Sequence, residues 1–254
     1  MLNMTRPRIM VAPNGARRGK SDHPILPLTP DEIAHAARTC RAAGADALHL
    51  HVRDAAGRHS LDAGLYRETL VALQEVEGLE LQVTTEAAGR YDPPEQFACL
   101  QDLAPSWASV SVREINRNSE IAEPLYTLCA EQSTRVQHIV YDAQDLALLR
   151  SWRDAGIVRP EQDEVICVLG AYSPARHGHP DELAALLPEM TGLRFSLCAF
   201  GPQEQNCLIA AAQAGAAYLR VGFENNLHAP DGSEWPDNAA AVAALKAELE
   251  RVLS

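Results

Sequence analysis

Two histidines separated by a single residue, His49 and His51, lie in the apolar stretch ALHLHVRD at residues 47–54. An apolar run of this kind predicts a β-strand, in which side chains two positions apart lie on the same face. Both imidazoles therefore point the same way, as two ligands of one metal ion do. A lone buried histidine is usually a hydrogen-bonded core residue. The pattern favours a metal site to which His49 and His51 contribute two ligands, and a structural role for the two histidines is the alternative.

The last apolar run, AYLRVGF at residues 217–223, is followed by a second group of polar residues. Arg220 and Glu224 share one face of this predicted strand by alternation. Glu224 is then the best-placed carboxylate for a third ligand, which completes the His2Glu set of a catalytic zinc site with an open fourth position. Such a metal acts as a Lewis acid on a bound carbonyl. Arg220 has two interpretations, as a catalytic cation or as the structural partner of a carboxylate.

These residues stand at the ends of apolar runs that alternate with helical patterns along the whole chain. One helix start is specific, because TPDE at residues 29–32 is a capping box with proline at the first helical position. Strict alternation predicts a parallel sheet with crossover helices. Eight such units in about 250 residues predict an α/β fold of the (β/α)8 TIM-barrel type, with its chemistry at the carboxyl ends of the strands. A doubly wound open sheet is the alternative.

Composition limits the classes of function. Nothing in the 254 residues resembles a linker, so we expect one domain over residues 1–254. The formal net charge of −12 argues against a nucleic-acid partner. The six cysteines are scattered without a CxxC pair, which indicates reduced thiols and a cytoplasmic protein. The start of the chain lacks a signal-peptide core, and no apolar run approaches the roughly 18 residues of a membrane span.

The predicted third and fourth strands supply further polar residues near their ends. Thr84 lies next to the end of the third strand, LELQVTT, and Ser109, Arg113 and Glu114 lie toward the end of the fourth, WASVSVRE. Arg113 and Glu114 are adjacent opposite charges, for which a surface ion pair is the simplest interpretation.

Several of these segments together resemble a known family. AGADALHLHVRDAAGRHSLD, QVTTE and AYLRVGFENNL, with APNGA near the start, are similar to segments of the β-keto acid cleavage enzymes, named for 3-keto-5-aminohexanoate cleavage enzyme. The resemblance runs the length of the chain. It implies a (β/α)8 barrel and an acyl exchange in which a β-keto acid and acetyl-CoA give acetoacetate and a new acyl-CoA. It also implies a homo-oligomer, either a dimer or a tetramer.

The resemblance assigns roles to residues of this chain. It implies that His49, His51 and Glu224 hold zinc or another divalent metal. It implies that Arg220, with the acidic residue that follows the ligand Glu, activates the carbonyl group. The small hydroxyl residues Thr84 and Ser109 carry over as substrate contacts.

The sequence departs from the family pattern in four places. Asn225 replaces the acidic residue after Glu224, and Gln137 and Ile139 replace an acidic pair on the fifth strand. The first loop has Asn14 where the family often has threonine, and the fourth strand carries VREIN. We take Asn225 and Glu114 as catalytic candidates beside Arg220, with Glu114 supplying the lost carboxylate. Asn14 and Arg113 are candidate substrate contacts.

Two other functions fit the same residues. A metal-dependent aldolase-type lyase needs the same Lewis acid and the same stabilisation of an enolate. A catalytically silent metal-binding protein that senses a keto acid would account for Asn225 and for the changes on the fifth strand. Such a sensor predicts ligand-induced stabilisation without turnover.

Overall fold

The fold is a closed barrel of parallel strands surrounded by helices. The computed structural model describes residues 6–172 and 175–253. Within these ranges, eight strands form the barrel: β1 (Arg8–Val11), β2 (Ala47–Leu50), β5 (Glu80–Thr84), β6 (Trp107–Ser111), β7 (Arg135–Val140), β8 (Glu164–Tyr172), β10 (Arg194–Ala199) and β11 (Tyr218–Val221). Three short strands lie outside the barrel: β3 (Val52–Arg53), β4 (His59–Ser60) and β9 (Ala175–His177).

The pairing order shows that the sheet is closed. Each strand pairs in parallel with the next one of the barrel from β1 to β8, β10 pairs with β11, and β11 pairs with β1. Parallel pairing of β8 with β10, from Arg194 opposite Glu164 to Ala199 opposite Leu169, completes the ring. The predicted TIM barrel is confirmed, and the doubly wound open sheet is wrong because an open sheet has two unpaired edges.

A helix follows each barrel strand before the next one begins. In chain order the described helices are α1 (Pro30–Ala43), α2 (Ala63–Leu73), α3 (Pro93–Leu103), α4 (Val112–Ile115), α5 (Ala122–Glu131), α6 (Ala143–Asp154), α7 (Pro180–Leu186), α8 (Glu204–Gln213) and α9 (Asn238–Val252). Thr29 forms the predicted capping box of α1, with Glu32 in return bonding the backbone of the cap. None of the described helices is both long and apolar enough to cross a membrane.

The end of the fourth barrel strand differs from the prediction. The chain leaves the sheet after Ser111, and Val112–Ile115 forms the short helix α4. Arg113 and Glu114 therefore belong to a helical turn above the barrel mouth, where side chains point along a spiral and no longer alternate between two faces.

Packing explains why this sequence closes into a barrel. One large cluster of buried aliphatic side chains fills the layer between the sheet and the helices. Inside the barrel, small separate clusters of apolar residues lie above and below a polar middle. At the amino ends of the strands, Glu80 accepts hydrogen bonds from Tyr218 (2.8 Å) and Arg135 (3.1 Å). Arg135 also donates to Glu164 at 2.8 Å, so a network of ion pairs closes the floor of the barrel.

Candidate metal centre

The two histidines of the HLH motif and Glu224 meet inside the barrel mouth. Nε2 of His49 and Nε2 of His51 are 3.2 Å apart. Oε2 of Glu224 lies 3.6 Å from the first nitrogen and 3.3 Å from the second. All three side chains are buried. Among the described residues, these three form the one group of histidine, cysteine and acidic side chains compact enough to hold a metal ion.

These distances fit a tetrahedral metal site. Zinc binds histidine nitrogen and carboxylate oxygen at about 2.0–2.1 Å, so neighbouring ligand atoms of a tetrahedron lie about 3.3–3.4 Å apart. The three measured separations, 3.2, 3.3 and 3.6 Å, agree closely with that edge length. The donor set is two imidazoles and one carboxylate, which leaves the fourth position for substrate.

Two glycines let the backbone bring Glu224 to the histidines. Gly222 follows strand β11 with φ of +134°, and a Cβ there would lie 2.5 Å from the carbonyl oxygen of Ala12. This close approach allows the amide of Glu224 to donate to that same oxygen at 3.1 Å. Gly15 has φ of +63°, and a Cβ there would meet Cγ of Glu224 at 2.5 Å. A side chain at Gly15 would collide with the Glu224 side chain, and one at Gly222 would collide with the backbone of Ala12.

Glu224 also pairs with Arg220, the other polar residue that alternation predicted for this strand. Nη2 of Arg220 donates to Oε1 of Glu224 at 3.0 Å, while Oε2 faces the histidines. Burial alone would raise the pKa of the Glu224 carboxyl, but the Arg220 guanidinium and the two imidazoles hold this pKa well below its usual range. The carboxylate is therefore ionised at neutral pH. Arg220 is both the partner of a carboxylate and a cation at the site.

A hydrogen bond from the barrel interior orients His49. Its Nδ1 lies 2.7 Å from Oε1 of Gln82, its neighbour on β5. Nε2 of Gln82 donates to Gln137 at 3.1 Å, and Gln137 donates to Ser196 at 3.3 Å. With Gln82 accepting from Nδ1, the lone pair of His49 lies on Nε2, where the metal would bind. Burial and the Arg220 charge lower the pKa of His49 to about 3, so this imidazole is neutral at pH 7.

A cavity of about 190 Å³ opens beside His49 and Glu224 at the carboxyl ends of the strands. Three guanidinium groups and three carboxylates line it, from Arg17, Arg113, Arg220, Glu86, Glu114 and Glu224. Thr84 and Tyr141 contribute hydroxyl groups to the wall. This volume accommodates a small organic acid, and the mixed charges favour a polar substrate over an apolar one.

Arg113 and Glu114 line the cavity but do not form the predicted surface ion pair. Arg113 donates to Asp145 through Nε (2.9 and 3.0 Å) and to Asp142 through Nη2 (2.6 Å), and its guanidinium lies over the Tyr141 ring. Glu114 accepts from the amide of Ala87 and from Gln96, each at 2.9 Å. The helical turn separates the two charges, and each finds a partner on another element. Burial and the nearby charge of Glu86 raise the pKa of Glu114.

The other predicted site residues differ in their surroundings. Thr84 lies on the cavity wall and accepts from Ser109 at 3.3 Å, so Ser109 lies behind Thr84. Asn14 donates to the carbonyl oxygens of Pro27 (2.9 Å) and His51 (3.2 Å), which fastens the first loop to the end of β2. The Asn225 side chain is buried, and within the described residues it makes no hydrogen bond and does not line the cavity. The roles proposed for these residues stay predictions.

Two residues near the ligands were not among the predicted site residues. Glu86 follows β5 and places Oε2 3.8 Å from Nε2 of His51. It belongs to the QVTTE segment and stands two residues beyond Thr84, so its position after a strand was the available signal. His59 packs against His51 with ring centroids 5.0 Å apart. Its signal was Gly57, a turn residue that lets the chain fold back on the HLHV strand.

A comparison with protein families places the chain. Residues 8–252 match the family described as beta-keto acid cleavage enzyme. The chain belongs to the β-keto acid cleavage enzyme family. The match spans the whole barrel, and it includes all three candidate ligands. The chain is therefore an enzyme of this family, as the resemblance of its motifs predicted.

Individual relatives of this β-keto acid cleavage enzyme are distant. A 3,5-dioxohexanoate:acetyl-CoA acetone transferase of Paraburkholderia graminis is 24% identical over 280 aligned positions, which cover 95% of this chain and 89% of the relative. A 3-keto-5-aminohexanoate cleavage enzyme of Fusobacterium nucleatum is 25% identical over 226 positions, covering 86% of this chain and 82% of the relative.

The fold has counterparts among solved structures. The binary complex of ObcA with oxaloacetate superimposes with a TM-score of 0.66 at 18% identity, covering 90% of this chain. The match covers 64% of the ObcA chain, so this protein spans less than two thirds of that structure's length. A type I 3-dehydroquinate dehydratase of Clostridium difficile gives a TM-score of 0.64 at 11% identity, with 97% of this chain and 93% of the other covered. At such identities these likenesses concern the barrel fold alone.

Proposed function

We propose that this protein is a zinc-dependent β-keto acid cleavage enzyme that exchanges acyl groups between a β-keto acid and acetyl-CoA. The products are acetoacetate and a new acyl-CoA. The observation that carries the proposal is the convergence of His49, His51 and Glu224 at tetrahedral spacing beside a small charged cavity. The names of the two relatives, an acetyl-CoA acetone transferase and a keto acid cleavage enzyme, support the same chemistry.

The three ligand residues would hold the metal, with the cavity on its open side. A divalent metal supplies Lewis acidity to a carbonyl group, which favours proton loss from the adjacent carbon and attack at the carbonyl. Arg220 lies against Glu224 on the same cavity wall, so its guanidinium adds positive charge where an oxyanion develops. Thr84 offers a hydroxyl group to the substrate from the end of β5.

Glu114 is the residue we assign to proton transfer. It lines the cavity, and its position is fixed by two hydrogen bonds, from Ala87 and Gln96. A general base works best when its pKa lies near the working pH, and burial moves the pKa of Glu114 in that direction. Asn225 cannot accept a proton, since its side chain is a neutral amide. Glu114 would thus supply the carboxylate that this chain lacks at residue 225.

The test is a direct assay of acyl exchange. The purified protein is analysed for bound metal by mass spectrometry and incubated with acetyl-CoA and a panel of short β-keto acids. We expect about one divalent ion per chain and the appearance of acetoacetate together with a new acyl-CoA. His49→Ala should lose both. A His49→Ala protein with wild-type metal content and turnover would refute the proposal, and cleavage that proceeds without CoA would favour a lyase.

Two finer points belong to the same proposal. Zinc is the metal we expect, because an open His2Glu set is typical of catalytic zinc sites. We also expect a cytoplasmic homo-oligomer. Metal analysis of protein purified from cells tests the identity of the metal, light scattering after gel filtration tests the oligomeric state, and cell fractionation tests the location.

A further inference from the structure

Directly after the HLH strand β2, the chain forms a small antiparallel hairpin that folds back beside the end of that strand. β3 and β4 pair with Val52 opposite Ser60 and Arg53 opposite His59. Asp54 closes the connecting turn, since its carboxylate accepts from the amides of Ala56 and Arg58, each at 2.9 Å. The hairpin therefore returns the chain and buries the His59 imidazole beside His51, with only 1% of His59 exposed.

The hydrogen bonds of His59 have a fixed direction. Nε2 of His59 lies 2.8 Å from the carbonyl oxygen of Glu86. A carbonyl oxygen only accepts, so Nε2 must carry the hydrogen. In a neutral imidazole the other nitrogen then bears the lone pair. Nδ1 of His59 is 3.4 Å from Nδ1 of His51, and this contact is a hydrogen bond only if His51 donates.

These hydrogen bonds determine whether Nε2 of His51, the nitrogen that would face the metal, carries a hydrogen. With its hydrogen on Nδ1, this residue has an unprotonated Nε2, which is the atom 3.3 Å from Glu224 and 3.2 Å from Nε2 of His49. The opposite tautomer would place a hydrogen between the ligand atoms and would leave two lone pairs facing each other at the His59 contact. The backbone oxygen of Glu86 therefore decides, through His59, which nitrogen of His51 carries the hydrogen.

We propose that His59 is a positioning residue that holds His51 in the tautomer with a bare Nε2 and thereby prepares the site for metal. The inference rests on the metal site of the proposed function. Partners of this kind, which hydrogen-bond the far nitrogen of a ligating histidine, typically contribute about 10–100-fold to metal affinity.

Two substitutions separate this role from simple packing. His59→Leu fills a similar space but removes both the acceptor toward His51 and the donor toward Glu86. His59→Gln keeps an acceptor oxygen and a donor amide on one side chain. His138 provides the matched control, because it is another buried histidine, bonded to Tyr126 (3.2 Å) and to the carbonyl of Gln162 (3.0 Å) on the helix side of β7.

Zinc affinity is measured by competition with a chelator for the wild type, His59→Leu, His59→Gln and His138→Leu. We expect His59→Leu to bind zinc about 10–100-fold more weakly. His59→Gln and His138→Leu should stay close to the wild type, even where thermal unfolding shows that they are destabilised. Equal affinity of His59→Leu and the wild type would overturn the inference, as would an equal loss in His138→Leu.

A second measurement does not depend on metal or on the folding of a variant. Nitrogen-15 NMR of the metal-free wild type distinguishes the tautomers of His51 directly. We expect hydrogen on Nδ1 of His51 and on Nε2 of His59, and hydrogen on Nε2 of His51 would overturn the inference. A wild type that shows these tautomers yet binds no zinc would instead overturn the proposed function, so the two failures are distinguishable.

Discussion

The buried pair of Arg220 and Glu224 makes a quantitative prediction about stability. Both side chains are only 4% exposed, and their charged atoms are 3.0 Å apart. Replacing Arg220 by methionine leaves the Glu224 carboxylate buried without its guanidinium partner. Removing one partner of a buried ion pair typically costs about 3–5 kcal/mol, because the remaining charge is desolvated without compensation. We expect a loss of that size for Arg220→Met and for Glu224→Met alone.

The double variant should be much less destabilised than the sum of the two. Replacing a buried ion pair by apolar groups of similar size removes both desolvation penalties and is often close to neutral. If the double variant costs no more than either single change, the coupling energy between the two substitutions is at least as large as one single cost, about 3 kcal/mol or more. This coupling would show that the charges, and not the loss of packing, dominate the cost of each single change.

The assay is urea unfolding at pH 7 in the presence of a chelator, followed by circular dichroism and tryptophan fluorescence. The chelator removes the contribution of bound metal to stability. Arg150→Met is the matched control, since Arg150 and Glu189 form an ion pair at 3.1 Å with side chains 53% and 45% exposed. This exposed pair should contribute at most about 1 kcal/mol. Additive effects of Arg220→Met and Glu224→Met would refute the reasoning, as would a cost for Arg220→Met no larger than that for Arg150→Met.

Three further predictions concern other carboxylates. Glu114→Gln keeps an acceptor for Ala87 and Gln96 but cannot take up a proton, so turnover in the acyl-exchange assay should fall about 10²–10⁴-fold while the melting temperature changes little. Burial raises the pKa of Glu204 to about 8, so unfolding should release this proton between about pH 4.3, where an unfolded Glu titrates, and pH 8. Stability should fall with rising pH in that window by at most about 1.4 kcal/mol per unit, and Glu204→Gln should remove this slope in urea unfolding at several pH values. Glu80→Gln removes the carboxylate charge that pairs with Arg8 and Arg135 and accepts a hydrogen bond from Tyr218 on the barrel floor. Because the Glu80 side chain is about a third exposed, we expect a small, salt-dependent decrease in melting temperature with unchanged turnover.

Periodicity predicts the fold of this chain well because each unit repeats the same physical requirement. Every barrel strand must be apolar on its helix-facing side, and every helix must begin and end within a short connection. Signals such as the capping box at Thr29 mark these boundaries locally. The end of β6 was predicted too far along the chain, since SVREI is compatible with a strand or a helical turn when only neighbouring residues are considered.

Local rules could predict that the three candidate ligands would meet, but they could not predict the positions of Glu86 and His59. His49 and His51 share a face through alternation within one strand, which is a local rule. Glu224 could be joined to them because the carboxyl ends of all barrel strands meet at one mouth. His59 reaches the site through a hairpin whose register depends on the turn from Asp54 to Arg58, and Glu86 reaches it through the loop after β5. Loop geometry of this kind is set by tertiary contacts that the sequence pattern does not display.

The uncharged side chain of Asn225 bears on which residue can transfer a proton beside the pair of Arg220 and Glu224. Asn225 brings no charge, and Arg220 donates to Glu224. Arg220 thus binds one oxygen of Glu224, while the other oxygen faces the histidines. A substrate anion that contacts Arg220 would therefore also affect the position of the Glu224 carboxylate. In the proposed reaction, proton transfer would then fall to another carboxylate on the cavity wall. Glu114 and Glu86 are the two other carboxylates among the described cavity-lining residues, and the pKa of each is raised, chiefly by burial.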